Sequence, residues 1–138
     1  MGLSSVLSIA LSGMTAAARR LEVSARNVAN ISSSGPLPDA DPAIKASYPA
    51  GYVALRVDQA EVAGGGTVAN VRSDSPGYVP SFDPGAPYAD AKGMVAAPNV
   101  DLADEAVQQL LARESFAANA QVVRTYEQMM KSLLDIKP

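Results

Sequence analysis

Histidine and cysteine, two residues that often carry out chemistry in proteins, are both absent from this chain. Their absence leaves no imidazole base, no thiolate nucleophile, no disulfide and no zinc site of the usual kind. The serines near the N-terminus therefore lack the base that a Ser–His hydrolase requires. We predict a protein that is not an enzyme and that has no catalytic, metal-binding or cofactor-binding residues.

Three polar motifs have the residue types of a ligand site but not the spacing. DADP at 39–42 begins like a calcium loop, yet it has no glycine at the sixth position and no glutamate at the twelfth. The triple glycine at 64–66 is not followed by Lys-Ser or Lys-Thr, as a phosphate loop would be, and predicts a hairpin turn. Asp101 and Asp104, with Glu105 beside them, suit the N-cap and first turn of a helix, whose free amides and dipole favour carboxylates.

Two asparagines, Asn27 and Asn30, lie one helical turn apart at the end of a long apolar-periodic run. A neutral amide both donates and accepts hydrogen bonds, and it costs less to bury than a charge. We predict that Asn27 fixes the register of the helix end against a neighbouring chain or against the protein's own extended segment, as polar seam residues do in coiled coils. For Asn30, the same role and a helix C-cap or αL residue are both open.

The N-terminal run predicts an amphipathic helix that extends to about Val28. Apolar or small residues recur in alternating steps of four and three, the pattern of a coiled-coil-like seam, at Leu3, Leu7, Ala10, Met14, Ala17, Leu21, Ser24 and Val28. The first 18 residues carry no charged side chain, but serines and Thr15 form a polar row on one face, which predicts no membrane insertion. No basic residue precedes Arg19, so we expect no cleaved signal peptide.

The middle of the chain predicts a small β-rich and extended segment. Residues 31–50 hold too much proline, serine and glycine to continue a helix, and they predict a loop or linker. Alternation over 53–58 and a second run at 67–71, on either side of the triple glycine, predict a hairpin. Residues 73–99 are rich in proline and glycine and predict extended chain that packs along a partner.

The C-terminal run predicts a helix of about 35 residues, starting near Asp101, with more apolar circumference than one antiparallel partner could cover. Large exposed apolar surfaces usually mark protein–protein contacts, and repetition of such contacts builds rings or helical filaments. The predicted assembly interface comprises Leu3, Leu7, Met14, Leu21, Asn27, Val28, Asn30, Val107, Leu110, Leu111, Val122, Val123, Tyr126, Met129, Met130 and Leu133. The alternative is a monomeric helical hairpin with a broad apolar face.

Together these elements predict an α+β fold. Long N- and C-terminal helices, within residues 1–30 and 100–138, pair as an antiparallel coiled-coil-like hairpin, and residues 31–99 form a small β-hairpin with an extended loop. The net charge is −3 and no stretch concentrates Lys or Arg, which argues against a nucleic-acid partner.

Three stretches of the chain are distinctive: SARNVANISSSG at 24–35, FDPGAPYADAKGMVAAPNVDLADE at 82–105, and ARESFAANAQVVRTYEQMMKSLL at 112–134. The most specific positions are Pro84, Gly85, Pro87, Ala89, Asp90, Ala91, Lys92, Gly93, Pro98, Asn99, Val100 and Asp101. In this order the stretches resemble the flagellar basal-body rod protein family, and within it the short proximal-rod type. The serines after Asn30 depart from the usual family pattern, which closes the amide motif with threonine.

The resemblance implies a structural subunit of the rod, the drive shaft that crosses the periplasm and transmits torque from motor to hook in the bacterial flagellum. It implies export by the flagellar type III apparatus without a cleaved leader. It also implies terminal helices in the inner layer of an axial tube, a middle segment outside them, and partnership with copies of the chain and with other rod proteins.

A soluble helical-hairpin secretion adaptor or binding module that does not polymerise is the alternative function. Helix gained on self-association would favour the rod subunit. Full helix content at low concentration would favour the adaptor.

Overall fold

The computed structural model describes residues 3–135, with the backbone alone for Leu3. The predicted role of Leu3 in an interface, and the ends of the predicted segments 1–30 and 100–138, therefore lie outside the described residues. Along the chain, a long helix at each end flanks one short helix and four short strands. The order is α1 Leu3–Ala29, α2 Pro42–Ser47, β1 Leu55–Glu61, β2 Thr67–Ser73, β3 Tyr78–Phe82, β4 Met94–Pro98 and α3 Leu102–Leu134. The predicted α+β class with long terminal helices is confirmed.

The chain forms two compact units, and each combines part of both long helices with part of the middle segment. The first unit holds the described residues of Met1–Glu22, Val57–Asn70 and Ala106–Pro138. The second unit holds Val23–Arg56 and Val71–Glu105.

In the first unit, the end of the β1–β2 hairpin is attached to α1. Strands β1 and β2 form a two-stranded sheet, and the three glycines at 64–66 all have positive φ, as the predicted turn requires. The hydroxyl of Ser12 accepts a hydrogen bond from the Thr67 amide at 3.1 Å. The guanidinium of Arg20 donates to Gln59 Oε1 at 2.8 Å. These polar contacts fix the hairpin beside the helix.

In the second unit, β3 and β4 form an antiparallel sheet in which Tyr78 pairs with Pro98 and Phe82 pairs with Met94. Gly35 forms a bridge to Ala96, so β3 is an edge strand. Pro80 is tolerated in β3 because an edge strand has one row of amides without a ladder partner. The sequence predicted this stretch only as extended chain, since its prolines concealed the pairing.

The predicted loop at 31–50 contains a short helix, α2, which the sequence did not indicate. Asp41 caps it by accepting a hydrogen bond from the Ala43 amide at 2.8 Å, and Pro42 occupies its first turn, where no amide donor is needed. The DADP motif is therefore part of a helix cap. A six-residue helix shows too little periodicity to be recognised in a proline-rich stretch.

The interior of each unit is built from small side chains. Ala10, Ala16, Ala17 and Ala112 are the buried residues of the first unit's core, while Ala54, Val95 and Ala96 are buried in the second. Among the described residues, the largest side chains that are fully buried are those of Val95 and Ser24. Small residues let backbones approach closely, but each one removes little apolar area from water.

The turn that leads into β4 provides a stability prediction. Gly93 has φ of +74°, and a Cβ added there would lie 3.0 Å from both Phe82 Cε2 and Pro84 Cβ. We expect Gly93→Ala to lower the free energy of unfolding by about 1–3 kcal/mol, because alanine is strained in this conformation. Gly85→Ala is the matched control: φ is not positive at Gly85 and the nearest atom is 3.6 Å away, so the change should stay within about 0.5 kcal/mol. Urea unfolding measures both, and equal losses would contradict the prediction.

Candidate assembly surface

The side of α1 that is buried by the rest of the chain carries small and polar residues. Its buried positions recur in steps of seven, seven and three at Ala10, Ala17, Ser24 and Asn27, with Ala16 and Val23 beside them. Two large residues of the predicted seam, Leu7 and Leu21, are 37 % and 46 % exposed. The heptad positions therefore do not form one continuous apolar seam inside the monomer, because small residues occupy the intramolecular face.

Helix α3 exposes even more apolar surface. Ala112 is its buried residue, and half-buried positions include Glu105, Gln109, Ser115 and Asn119. Up to Asn119 the large apolar side chains of α3 point away from this face, whereas the half-buried Val123, Tyr126 and Met130 continue it. The apolar circumference predicted for this helix consists of two neighbouring stripes: Val107, Leu111, Ala118, Val122, Tyr126, Met129 and Leu133, and beside them Leu110, Ala117, Ala120, Val123, Met130 and Leu134. Their large exposed members are Val107, Leu110, Leu111, Val122, Met129, Leu133 and Leu134.

The predicted interface residues thus fall into three groups. Exposed are Leu7, Leu21, Val107, Leu110, Leu111, Val122, Met129 and Leu133. Half-buried are Met14, Val28, Asn30, Val123, Tyr126 and Met130. Asn27 is buried at 3 % exposure. The prediction omitted the exposed apolar residues Val6, Leu11, Leu102 and Phe116, which lie beside the predicted stripes and could have been included by widening each stripe by one position.

Asn27 uses all four of its hydrogen-bonding positions inside the second unit. Its Nδ2 group donates to Leu55 O at 2.8 Å and to Glu105 Oε1 at 2.6 Å. Its Oδ1 atom accepts from the Leu55 amide at 3.0 Å and from the Tyr52 hydroxyl at 2.9 Å. The amide joins the end of α1, the start of β1 and the first turns of α3, and it contacts the protein's own extended segment.

Three residues complete this cluster, and the sequence did not identify them as partners of Asn27. The sequence predicted Glu105 only as part of a helix first turn, and it assigned no role to Tyr52 in this cluster. Ser24, one turn before Asn27, donates from its hydroxyl to Glu105 O at 3.2 Å. The sequence signal for these partners was the position of Asn27 beside the end of the seam, since a buried amide must find several partners.

Burial raises the pKa of the Tyr52 hydroxyl above its ordinary value of 10.0. The nearby Arg26 charge opposes this shift, and the Glu105 charge adds to it. Loss of the proton would also remove the donor that binds Asn27 Oδ1. The cluster therefore holds Tyr52 in its neutral form.

Asn30 makes local contacts at the end of α1. Its Nδ2 group donates to Arg26 O at 2.9 Å, and its Oδ1 atom accepts from the Ser33 hydroxyl at 3.3 Å. It is not in the αL conformation, because the described residues with positive φ are all glycines. Of the alternatives open for Asn30, the αL conformation is therefore wrong.

The family-motif residues build two connections of the second unit. The connection from β3 to β4 contains Pro84, Gly85, Pro87, Ala89, Asp90, Ala91, Lys92 and Gly93. Strand β4 ends at the buried Pro98, and the segment that leads into α3 contains Asn99, Val100 and Asp101. Asp90 Oδ1 accepts hydrogen bonds from the Lys92 and Met94 amides, each at 2.8 Å. Asn99 Nδ2 donates to Pro76 O at 2.8 Å. These residues shape backbone turns.

The start of α3 is capped by a carboxylate. Asp101 Oδ1 accepts from the Ala103 amide at 2.7 Å and from the Asp104 amide at 3.4 Å. Asp104 and Glu105 lie in the first turn. Glu105 extends from this turn to Asn27, so the first turn of the helix also belongs to the buried cluster.

Within residues 3–135, no helix combines the length and the apolar character that crossing a membrane requires. The same part of the chain contains no group of three or more Asp and Glu residues placed to hold a metal ion.

Comparisons with known proteins identify the family. Residues 7–36 match the model described as flagella basal body rod protein, and residues 91–136 match the model described as flagellar basal body rod FlgEFG protein C-terminal. The flagellar basal-body rod protein FlgC of Escherichia coli O157:H7 is 40 % identical over 140 residues, covering 99 % of this chain and 98 % of that protein. The chain belongs to the FlgC family of flagellar basal-body rod proteins.

Two further FlgC proteins extend the comparison. That of Salmonella typhimurium (strain LT2) is 37 % identical over 139 residues, covering 99 % of this chain and 98 % of the relative. That of Agrobacterium fabrum (strain C58) is 34 % identical over 134 residues, covering 97 % and 94 %. The resemblance read from the sequence is confirmed: this FlgC-family chain is a structural component of the flagellar basal-body rod and not an enzyme, and the adaptor alternative is not favoured.

The Asn27 cluster generates a stability prediction. Asn27→Ala leaves the Glu105 carboxylate and the Tyr52 hydroxyl without a buried partner, so we expect the free energy of unfolding to fall by about 2–4 kcal/mol. Asn30→Ala removes local bonds at a half-buried site and should cost less than about 1 kcal/mol. Urea unfolding of both variants tests this, and similar losses for the two would contradict it.

The raised Tyr52 pKa predicts alkaline sensitivity. Above pH 10 the folded state holds a proton on Tyr52 that the unfolded state releases, so this contribution is complete below pH 10 and is lost as pH rises through the folded pKa. Tyr52→Phe removes the titrating group. The free energy of unfolding of this variant should therefore fall less steeply between pH 9 and 11 than that of the unchanged protein. At pH 9 the variant should already be less stable, because it lacks the hydrogen bond to Asn27. Parallel slopes in urea unfolding across this range would count against the assignment.

Proposed function

We propose that this rod protein assembles helically with copies of itself and with other rod proteins, and that the assembly transmits torque from motor to hook. One observation carries the proposal: both long helices expose many large apolar side chains, while the buried positions of α1 and of the first half of α3 are mainly small or polar. Leu11, Leu110 and Leu133 are 59 %, 55 % and 55 % exposed. Burial of one such side chain contributes about 1.5–3 kcal/mol. Contact with neighbouring chains would therefore supply the apolar burial that these side chains do not find in the monomer.

We further propose that the two terminal helices pair as an antiparallel, coiled-coil-like hairpin. In the first unit, a Cβ at Gly13 would lie 2.6 Å from Asn119 Oδ1, so α1 and α3 approach closely there. In the second unit, Ser24 and Asn27 both bond to Glu105. The position along α3 falls as the position along α1 rises, and the small residues on α1 permit the close approach.

The interface of the assembly consists of the exposed residues on these helices, together with the half-buried Met14, Val28, Val123, Tyr126 and Met130. The half-buried side chains border the intramolecular face, so a neighbouring helix can complete their burial. Asn27 acts inside the chain: it fixes the α1 end against β1 and α3, and the interface forms on the outward side of these helices. Asn30, half-buried at the same helix end, is a candidate contact at the margin of the interface.

The terminal helices then form the inner layer of the axial tube, and the middle segment lies outside them. Partners are further copies of this chain, other rod proteins and, during delivery, the flagellar type III export apparatus. The apolar α1 and α3 faces support the inner position, because helices buried between neighbours need apolar surface on more than one side.

A matched pair of variants on α3 tests the proposal. Val122 is 42 % exposed on the apolar face, and its neighbour Gln121 is exposed. We expect Val122→Glu to leave the free energy of unfolding within about 0.5 kcal/mol, but to abolish self-association and rod assembly, because the interface would have to bury an unpaired charge. Gln121→Glu adds the same charge outside the apolar stripe and should assemble normally.

Sedimentation velocity over a range of concentrations measures the association, and swimming of a strain that carries only the variant measures function. Assembly of the Val122→Glu protein at the same concentration as the unchanged chain would contradict the proposal. A chain that stays monomeric and fully helical at every concentration, with or without other rod proteins, would contradict it as well.

A further inference from the structure

The second unit contains a small apolar pocket that the rod interface does not use. We call it the tyrosine pocket; its volume is about 260 Å³, and its walls include Pro36, Tyr48, Tyr52, Val53 and Tyr78. This volume is below the range of about 300–1,000 Å³ that is usual for ligand sites. It suits one aromatic side chain with its flanking backbone, and it is too small for a helix.

Among the described residues, one cation borders the tyrosine pocket. Lys45 is one of the lining residues, and its Nζ group donates to Pro38 O at 2.9 Å. An ammonium group has three donors, so two N–H bonds of Lys45 remain available to an incoming acceptor. Tyr48 is held in the pocket wall by a tilted ring contact with Tyr88, with ring centroids 5.7 Å apart. The pocket therefore offers a positioned apolar wall and one positive charge.

The complementary feature lies on the same chain, at the far end of β3. Phe82 is 69 % exposed, the most exposed aromatic residue among the described large hydrophobic residues. Asp83 follows it and is also exposed. The ring of Phe82 lies beside Gly93, where an added Cβ would be 3.0 Å from Phe82 Cε2. Phe82 is about 13 Å along the strand from Tyr78, at 3.3 Å per residue. Phe82 therefore does not fill the pocket of its own chain.

We propose that the tyrosine pocket of one copy receives Phe82 of a second copy, with Asp83 of that copy paired to Lys45. The match is chemical on two counts: an exposed ring meets a pocket of tyrosine rings and proline, and the adjacent carboxylate meets the one cation on the rim. Offset or edge-to-face ring contacts suit such a pocket. This inference rests on the proposed helical self-assembly and adds a contact made by the middle segment.

The contact is heterologous, since the two surfaces that meet are different patches of the chain. Each copy presents both patches, so it receives a ring from one neighbour and inserts its own ring into another. Heterologous contacts continue into an open helical array when the rotation does not close. The pocket thus gives direction to an assembly that apolar helix faces alone would leave less specific.

Charge reversal across the pair tests the proposal in full-length chains. Lys45→Glu and Asp83→Lys should each weaken self-association several-fold in sedimentation velocity, because a like-charge contact replaces an ion pair. An equimolar mixture of the two variants should recover it, since every contact between unlike chains again joins opposite charges. Phe82→Ala should weaken association at least about tenfold, with Val79→Ala, an exposed apolar residue of the same strand, as the matched control.

Photo-crosslinking locates the contact directly. A benzophenone amino acid in place of Phe82 should crosslink to a second copy at the peptides that contain Tyr48, Tyr52 or Tyr78, as read by mass spectrometry. Mixing isotopically light and heavy chains distinguishes contacts between copies from contacts within one chain. Crosslinks confined to the same chain, to α1 or α3, or to a different rod protein in isolated basal bodies would overturn the proposal.

The outcomes separate this inference from the function on which it rests. If the chain assembles normally while the mixture of charge-reversed variants shows no recovery and Phe82→Ala has no effect, the pocket contact is wrong and helical assembly stands. If Val122→Glu also assembles, or the unchanged chain never associates, the proposed function fails and the pocket contact fails with it.

Discussion

The constraint on which the structure depends is the size of the side chains that its own units bury. Alanine supplies most of the core, and Val95 and Ser24 are the largest fully buried side chains of the described residues. Close backbone approach requires such small residues, as at Gly13 beside Asn119. A core of this kind has little room for large apolar side chains, and most leucines of α1 and α3 remain exposed. Their exposure follows directly from the close packing within the chain.

Asn27 shows why a neutral amide occupies the point where three segments meet. A charged residue buried there would need a partner of opposite charge, and the cost of removing both charges from water would cancel much of their mutual attraction. The amide satisfies two donors and two acceptors at once and orients Leu55, Tyr52 and Glu105. Tyr52 also contributes to the wall of the tyrosine pocket. Through Tyr52, the cluster therefore links the end of α1 to the wall of the tyrosine pocket in the middle segment.

The long helices, the glycine hairpin and the carboxylate at Asp101 could be predicted from the sequence, because each has a local signal in periodicity, turn residues or capping chemistry. The β3–β4 sheet could not be predicted, since Pro80 concealed an edge strand and the paired residues are 12 to 20 positions apart. The sequence also could not predict which residues of the α1 seam face the rest of the same chain. Heptad spacing identified Leu7 and Leu21 together with Ala10 and Ala17, but periodicity does not tell whether large or small members face the same chain.

The free subunit and the assembled one differ in stability for the same physical reason. Apolar residues that stay hydrated in the monomer contribute to the folded state only when a neighbour covers them, so binding stabilises the chain by mass action. A chain with a core of small side chains also gains little from burial when alone. In the proposed assembly, contacts between copies would therefore add stability to each folded chain, and folding and assembly would be linked equilibria.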